Sequence, residues 1–183
     1  VEVVDTIPPV VFVADVVVSL NASGSVTIGN VDVVSSSSDN CGVSVTSLNK
    51  TTFTCGSVGV NVVRTSVTDN NGNVAFNDSV VLVEDNMPPS VSSVGFVSLN
   101  LNSSGFVSIV ASDVDSSSSD NCAFTLSLDD STFSCDDVGN NSVLLIGTDV
   151  NGNVGNASVT VGVSDVTAPA CVSTSRSEER RVG

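Results

Sequence analysis

The chain repeats itself, and that limits its fold more than any other property. Asp5-Thr6-Ile7-Pro8-Pro9 returns as Asp85-Asn86-Met87-Pro88-Pro89 and starts again at Asp165-Val166-Thr167-Ala168-Pro169. Ser35 to Cys41 (SSSSDNC) returns as Ser116 to Cys122, and Thr52-Phe53-Thr54-Cys55 as Thr132-Phe133-Ser134-Cys135. Thr68-Asp69-Asn70-Asn71-Gly72-Asn73 returns as Thr148-Asp149-Val150-Asn151-Gly152-Asn153. The period is 80 residues, with one residue inserted before Cys122 and one deleted before Cys135. A fixed period of this size means one structural unit used several times, so reading one unit reads the array. The expected organisation is the last strand of a preceding repeat at 1–4, whole repeats at 5–84 and 85–164, and the start of a further one at 165–175. Residues 176–183 hold three of the five basic residues and none of the repeat pattern. They read as a translated sequencing adapter or a charged tail, and are set aside from the fold.

Within a repeat, short apolar runs alternate with turn clusters. Val10–Leu20, Ser25–Val33, Gly42–Leu48, Thr51–Cys55, Asn61–Thr68 and Val74–Val83 read as strands. Val81 and Val83, like Val159, Val161 and Val163, alternate as a half-buried strand does. Asn71-Gly72 and Asn151-Gly152 sit between two such runs, which predicts a two-residue type I′ hairpin with both central residues at φ > 0. The serine runs Ser35–Ser38 and Ser116–Ser119 read as flexible loops, and no segment has helical periodicity. Short strands at this spacing predict an all-β chain of tandem immunoglobulin-like β-sandwich repeats, stacked as an elongated array.

An 80-residue unit with few aromatics has a small core and calls for a staple. Cys41 and Cys55 recur as Cys122 and Cys135, which suggests one bridge within each repeat, Cys41–Cys55 and Cys122–Cys135. Closing a loop of about 14 residues contributes about 3 kcal/mol. A zinc site lacks the His or second Cys pair per repeat that it needs, as the chain has no His. Disulfides imply an oxidising, extracellular or cell-surface location. Cys171 is left unpaired.

The order of motifs resembles the hyalin repeat and related bacterial surface repeats. It is Asp-x-x-Pro-Pro, Ser-Asp-Asn-Cys, Phe-x-Cys, Val-Gly, then Thr-Asp-x-Asn-Gly-Asn, and it covers Asp5–Glu84 and Asp85–Ser164. The resemblance implies an immunoglobulin-like fold and a role in adhesion or in repetitive surface proteins.

Charge narrows the partners. Asp+Glu 20 against Lys+Arg 5 gives a net charge of −15, which disfavours nucleic acid and anionic membranes and favours cations. No apolar run is long enough to insert in a membrane. Sandwich topology gathers Asp5, Asp32, Asp39, Asp69, Asn71 and Asn73 at the N-terminal pole of the first repeat. It does the same with Asp85, Asp113, Asp115, Asp120, Asp149, Asn151 and Asn153 in the second. Oxygen-only donors of this kind suit Ca²⁺. The same residues also cap turns by accepting backbone N–H bonds, so both readings stand here. Catalysis has no support, because there is no His to serve as a base. The expected role is a structural or adhesive stalk whose partners are neighbouring repeats. A module gripping a surface glycan or protein, or an appendage of a secreted enzyme, is the alternative.

Overall fold

A computed structural model describes residues 3–167; the expectations for 168–183, Cys171 among them, lie outside the described residues. The first unit runs β1 (Val10–Val13), β2 (Val16–Ser19), β3 (Ser25–Thr27), α1 (Asn30–Val33), β4 (Val34–Ser38), β5 (Val43–Leu48), β6 (Thr52–Thr54), β7 (Gly59–Asp69) and β8 (Val74–Glu84). The second runs β9 (Phe96–Asn100), β10 (Phe106–Ser108), α2 (Ala111–Val114), β11 (Phe124–Leu128), β12 (Thr132–Ser134), β13 (Gly139–Asp149) and β14 (Val154–Ser164). Val3 and Val4 belong to no strand.

Each unit is a β-sandwich. One face is a four-stranded sheet, ordered β2-β8-β7-β5 in the first unit and β9-β14-β13-β11 in the second. The first strand of each order runs parallel to its neighbour and the others pair antiparallel. The short pairs β3-β6 and β10-β12 lie opposite, joined in the first unit by β1-β4. This is the tandem immunoglobulin-like arrangement expected from the repeat.

The alternation in β8 and β14 fills the core as predicted. Val81, Val83, Val159, Val161 and Val163 are buried, and each unit closes over a separate cluster centred on Phe53 or Phe133. Fully burying a side chain of this size contributes about 1.5–3 kcal/mol, so one phenylalanine is a large part of a small core.

Three local expectations are corrected. The run Val10–Leu20 is two strands: β1 pairs with β4, then the chain crosses to β8 as β2. Asp15 makes the crossing, since its carboxylate accepts the Val80 N–H at 2.7 Å where a strand carbonyl is missing. The run Ser25–Val33 ends in the helical turn α1, because Asp32 accepts the Gly29 N–H (2.7 Å) and Val33 drops into the core. Asp113 and Val114 do the same in α2. The serine run of the first repeat is strand β4 and not a loop. In the second repeat the same stretch forms no continuous strand and meets the preceding segment at the isolated bridges Ser90–Ser119 and Ser93–Asp115, with Ser92 bonded to Ser116 and Ser118 between them.

Candidate functional site at the junction between the units

The hairpin turns differ from the predicted type I′. Among the described residues no non-glycine residue has φ > 0; only Gly72 (φ 93°) and Gly152 (φ 91°) are left-handed in these turns. The Gly72 N–H donates to Asp69 O at 3.4 Å and the Asp69 N–H to Asn73 O at 3.1 Å. This is a three-residue loop, a type I turn followed by glycine in a bulge. The Asp and second Asn are therefore part of the turn. Asp69 Oδ1 accepts the Asn71 and Asn73 N–H groups, both at 2.8 Å, and Oδ2 accepts Asn73 Nδ2 at 2.7 Å. Asp149 is held identically by Asn151 and Asn153.

Both aspartates are buried, at 2% and 6% exposure. Burial pushes each carboxyl up, but the Asn73 or Asn153 amide and the turn's backbone N–H groups outweigh it. The net effect holds both below the usual carboxylate range.

The turns also grip the segment leading into their own unit. Asn73 Nδ2 donates to Asp5 O at 3.2 Å, and Asn153 Nδ2 to Asp85 O at 3.0 Å. Asp85 is the hub of the junction. Its Oδ2 accepts Asn151 Nδ2 (2.9 Å) and its Oδ1 accepts Asn121 Nδ2 (3.1 Å) and the Met87 N–H (3.3 Å). Asn121 Nδ2 reaches back as well, to Asn21 O of the first unit at 3.3 Å.

Beside this hub lies the largest departure from expectation. Cys55 is bonded to Cys122, 67 residues away and with Cα atoms 5.7 Å apart, while Cys41 and Cys135 are free thiols. The expected pairs Cys41–Cys55 and Cys122–Cys135 do not form. Strand β5 (Val43–Leu48) runs from Cys41 toward Cys55, and six extended residues carry the chain about 20 Å. The two cysteines thus stand at opposite poles, far beyond the roughly 7 Å a disulfide spans. The bridge instead crosses between units, and Cys122 packs against the first unit's core. Closing a 67-residue loop contributes about 4 kcal/mol through unfolded-chain entropy, more than the short loop expected.

Of the candidate calcium ligands, Asp85, Asp120 and Asp149 come together, each offering an oxygen within 4.8 Å of the others. At the first pole Asp5 and Asp39 gather with Cys41 in the same way, and Asp69 is near enough for its charge to act on Cys41. A hydrogen bond with Asp5, then burial and the charges of Asp5, Asp39 and Asp69, push the Cys41 thiol up. Asp32, Asp113 and Asp115 stay out of these clusters. Asp32 and Asp113 cap α1 and α2, and Asp115 accepts from the Ser118 N–H and hydroxyl. Asn71 and Asn151 lie beside their clusters, and Asn73 and Asn153 hydrogen-bond directly to Asp69 and Asp149. Asn121 belongs to the acidic loop expected at this pole, whereas Asn21 was not among the candidates. Asn21 lies in a turn at the far pole, and its role shows only once the units are stacked.

No family model matches the chain, and no curated protein does. Among solved structures, the fibronectin(III)-like modules of Clostridium thermocellum CbhA share 13% identity over 88% of this chain and 97% of theirs, with a TM-score of 0.33. The titin pair A168169 shares 12% over 87% and 100%, with a TM-score of 0.39. Human mucin-like protocadherin EC1-2 shares 10% over 86% and 98%, with a TM-score of 0.36. At such low TM-scores the fold assignment rests on the strand order itself. Among the described residues, no helix is long and apolar enough to cross a membrane.

Proposed function

We propose that the chain is a stalk segment of a secreted or cell-surface protein. Its units are hyalin-repeat-like, bounded at 5–84 and 85–164, and their work is to hold length and direction. The observation that carries this reading is the Cys55–Cys122 bridge, which ties the far pole of one unit to the near pole of the next. A linker alone leaves two domains free to swing. Here the linker is anchored at Asp85 by asparagine amides on both sides, and a covalent bond lies next to it. The exposed apolar residues Val60, Val62 and Val80 lie on a sheet face. Asn140, Ser142 and Thr160 stand at the matching positions of the second unit, so this apolar patch is not repeated along the array.

A calcium ion is the second element of the proposal. Asp85, Asp120 and Asp149 supply hard oxygen donors, and Asn121 Oδ1 is buried with no hydrogen-bond partner. The amides on Asp85 and Asp149 relieve the same crowding of charge without an ion, so solution behaviour decides between them. Small-angle scattering on the intact chain and on Cys122→Ser, each with calcium and with chelator, makes the test. The stalk reading expects a longer and narrower distance distribution for the stapled protein than for Cys122→Ser. Calcium binding adds a further shortening on chelation. Identical profiles for stapled and Cys122→Ser protein in chelator contradict the stapled stalk.

A further inference from the structure

The outer face of the first unit's four-stranded sheet is apolar where the same face of the second unit is polar. Val60 (73% exposed), Val17 (62%) and Val62 (60%) stand on it with Val80, and Val60 and Val17 both neighbour Leu82 across the strands. Val62 pairs with Val80, and two residues further along the same face Arg64 pairs with Asp78. The matching positions of the second unit hold Asn140, Ser142, Thr160 and Gly162. There Phe96 lies over Gly162, where an added Cβ would stand 2.9 Å from the ring's Cζ, so the chain covers that face itself. Val16 pairs with Val81 as Val97 does with Val161, which puts Asp15 at the place of Phe96. Asp15 accepts the Val80 N–H (2.7 Å) and leaves the valines open.

A contiguous exposed apolar patch marks an interaction surface, and two observations say what this one fits. The first is charge. Lys50 and Arg64 are the two basic residues in 1–175, in a chain of net charge −15. Arg64 stands on this face, held by Asp78 at 2.8 Å and with its guanidinium 6.0 Å from the Phe76 ring. Asp15 and Glu84 lie at the margin of the patch. A second copy approaching with most of its surface brings like charge, whereas this face presents a cation and an anion side by side and meets itself in balance. The second observation is size. Strands rising about 3.4 Å per residue and spaced about 4.8 Å apart give the face about 500 Å². Two such faces bury about 1,000 Å² in all, the lower bound for a specific interface.

We propose that this face packs against the same face of a second copy of the chain, forming a lateral two-fold dimer. An axis running along the strands between β7 and β8 lays Val62 of one copy over Val80 of the other, and Arg64 over Asp78, because these residues are already cross-strand partners. Sheets packed face to face stand about 10 Å apart with their strands nearly aligned, close enough for the valines to interdigitate. The contact is isologous, so it closes at two copies. It lies beside the array and not at its poles, so neighbouring repeats of the same chain do not compete for it. It holds whether or not the array serves as a stalk.

The test is sedimentation equilibrium on the full chain with its free thiols alkylated, so that only non-covalent association is read. An interface of this size predicts a monomer–dimer equilibrium with a dissociation constant on the order of 0.1 mM. A triple variant, Val60→Asn with Val62→Ser and Val80→Thr, gives the first unit the side chains of the second. It raises that constant at least about tenfold and keeps the wild-type melting profile, since the replaced side chains are exposed. Arg64→Asp alone sets like charges face to face and weakens the dimer, less so at high salt. Adding Asp78→Arg to it restores opposite charges across the axis and recovers the dimer. A chain that stays monomeric up to about 1 mM leaves the face to a different partner and overturns the proposal. Dimerisation unchanged in the triple variant places the contact on another surface and overturns it as well.

Discussion

At the scale of single residues, Asp69 and Asp149 have the most to do. Each ties a turn together and, through Asn73 or Asn153, ties that turn to the segment leading into its unit. Their folded-state acidity has a direct consequence. The carboxyls titrate below the unfolded value of about 3.9, so they stabilise the fold above about pH 4. That contribution is lost as the pH falls through the depressed folded value. Asp149→Asn is accordingly expected to melt at a lower temperature than wild type at pH 7, with the difference closing in strong acid. Thermal melts across that range check it, and a gap independent of pH contradicts it. The sequence showed that an Asp-x-Asn-Gly-Asn turn was present but assigned it the wrong type. The dipeptide Asn-Gly occurs both in two-residue loops and in three-residue loops with a glycine bulge. Only the observed φ values separate the two, and with the second loop the Asp and final Asn acquire partners.

At the scale of elements, the long hairpins β7-β8 and β13-β14 were legible because their valines alternate. The four-residue turns α1 and α2 were not, being shorter than the period that reveals a helix. The cysteine pairing was hidden for a related reason. A short sequence separation between Cys41 and Cys55 conceals a full strand crossing, and a separation of 67 conceals contact. Another element-level feature explains how the second unit receives its linker. Gly147 and Gly155 face each other across β13 and β14. A Cβ on Gly155 would run into the carbonyl oxygen of the buried Pro89, and one on Gly147 would lie 2.7 Å from Val91 Cγ2. The glycine pair opens the slot in which Pro89 lies. Gly155→Ala is expected to cost about 1–3 kcal/mol through overpacking against rigid backbone. Denaturant titration measures this, and unchanged stability shows that the slot has room to spare.

At the scale of the whole molecule, two small sandwiches with separate cores are joined end to end by ties of different kinds. The asparagine amides on Asp85 set direction, Pro89 fills a slot, and the Cys55–Cys122 bond makes the contact permanent under oxidising conditions. The acidic clusters at the poles, in a chain of net charge −15, are where a cation would act if one is bound. All of this depends on the staple lying between units. Proteolysis of the intact, thiol-blocked protein followed by non-reducing peptide mapping tests that most directly. The expected result is one linked peptide pair joining Cys55 to Cys122, with Cys41 and Cys135 carrying the alkylating label; linked pairs Cys41–Cys55 and Cys122–Cys135 would contradict it.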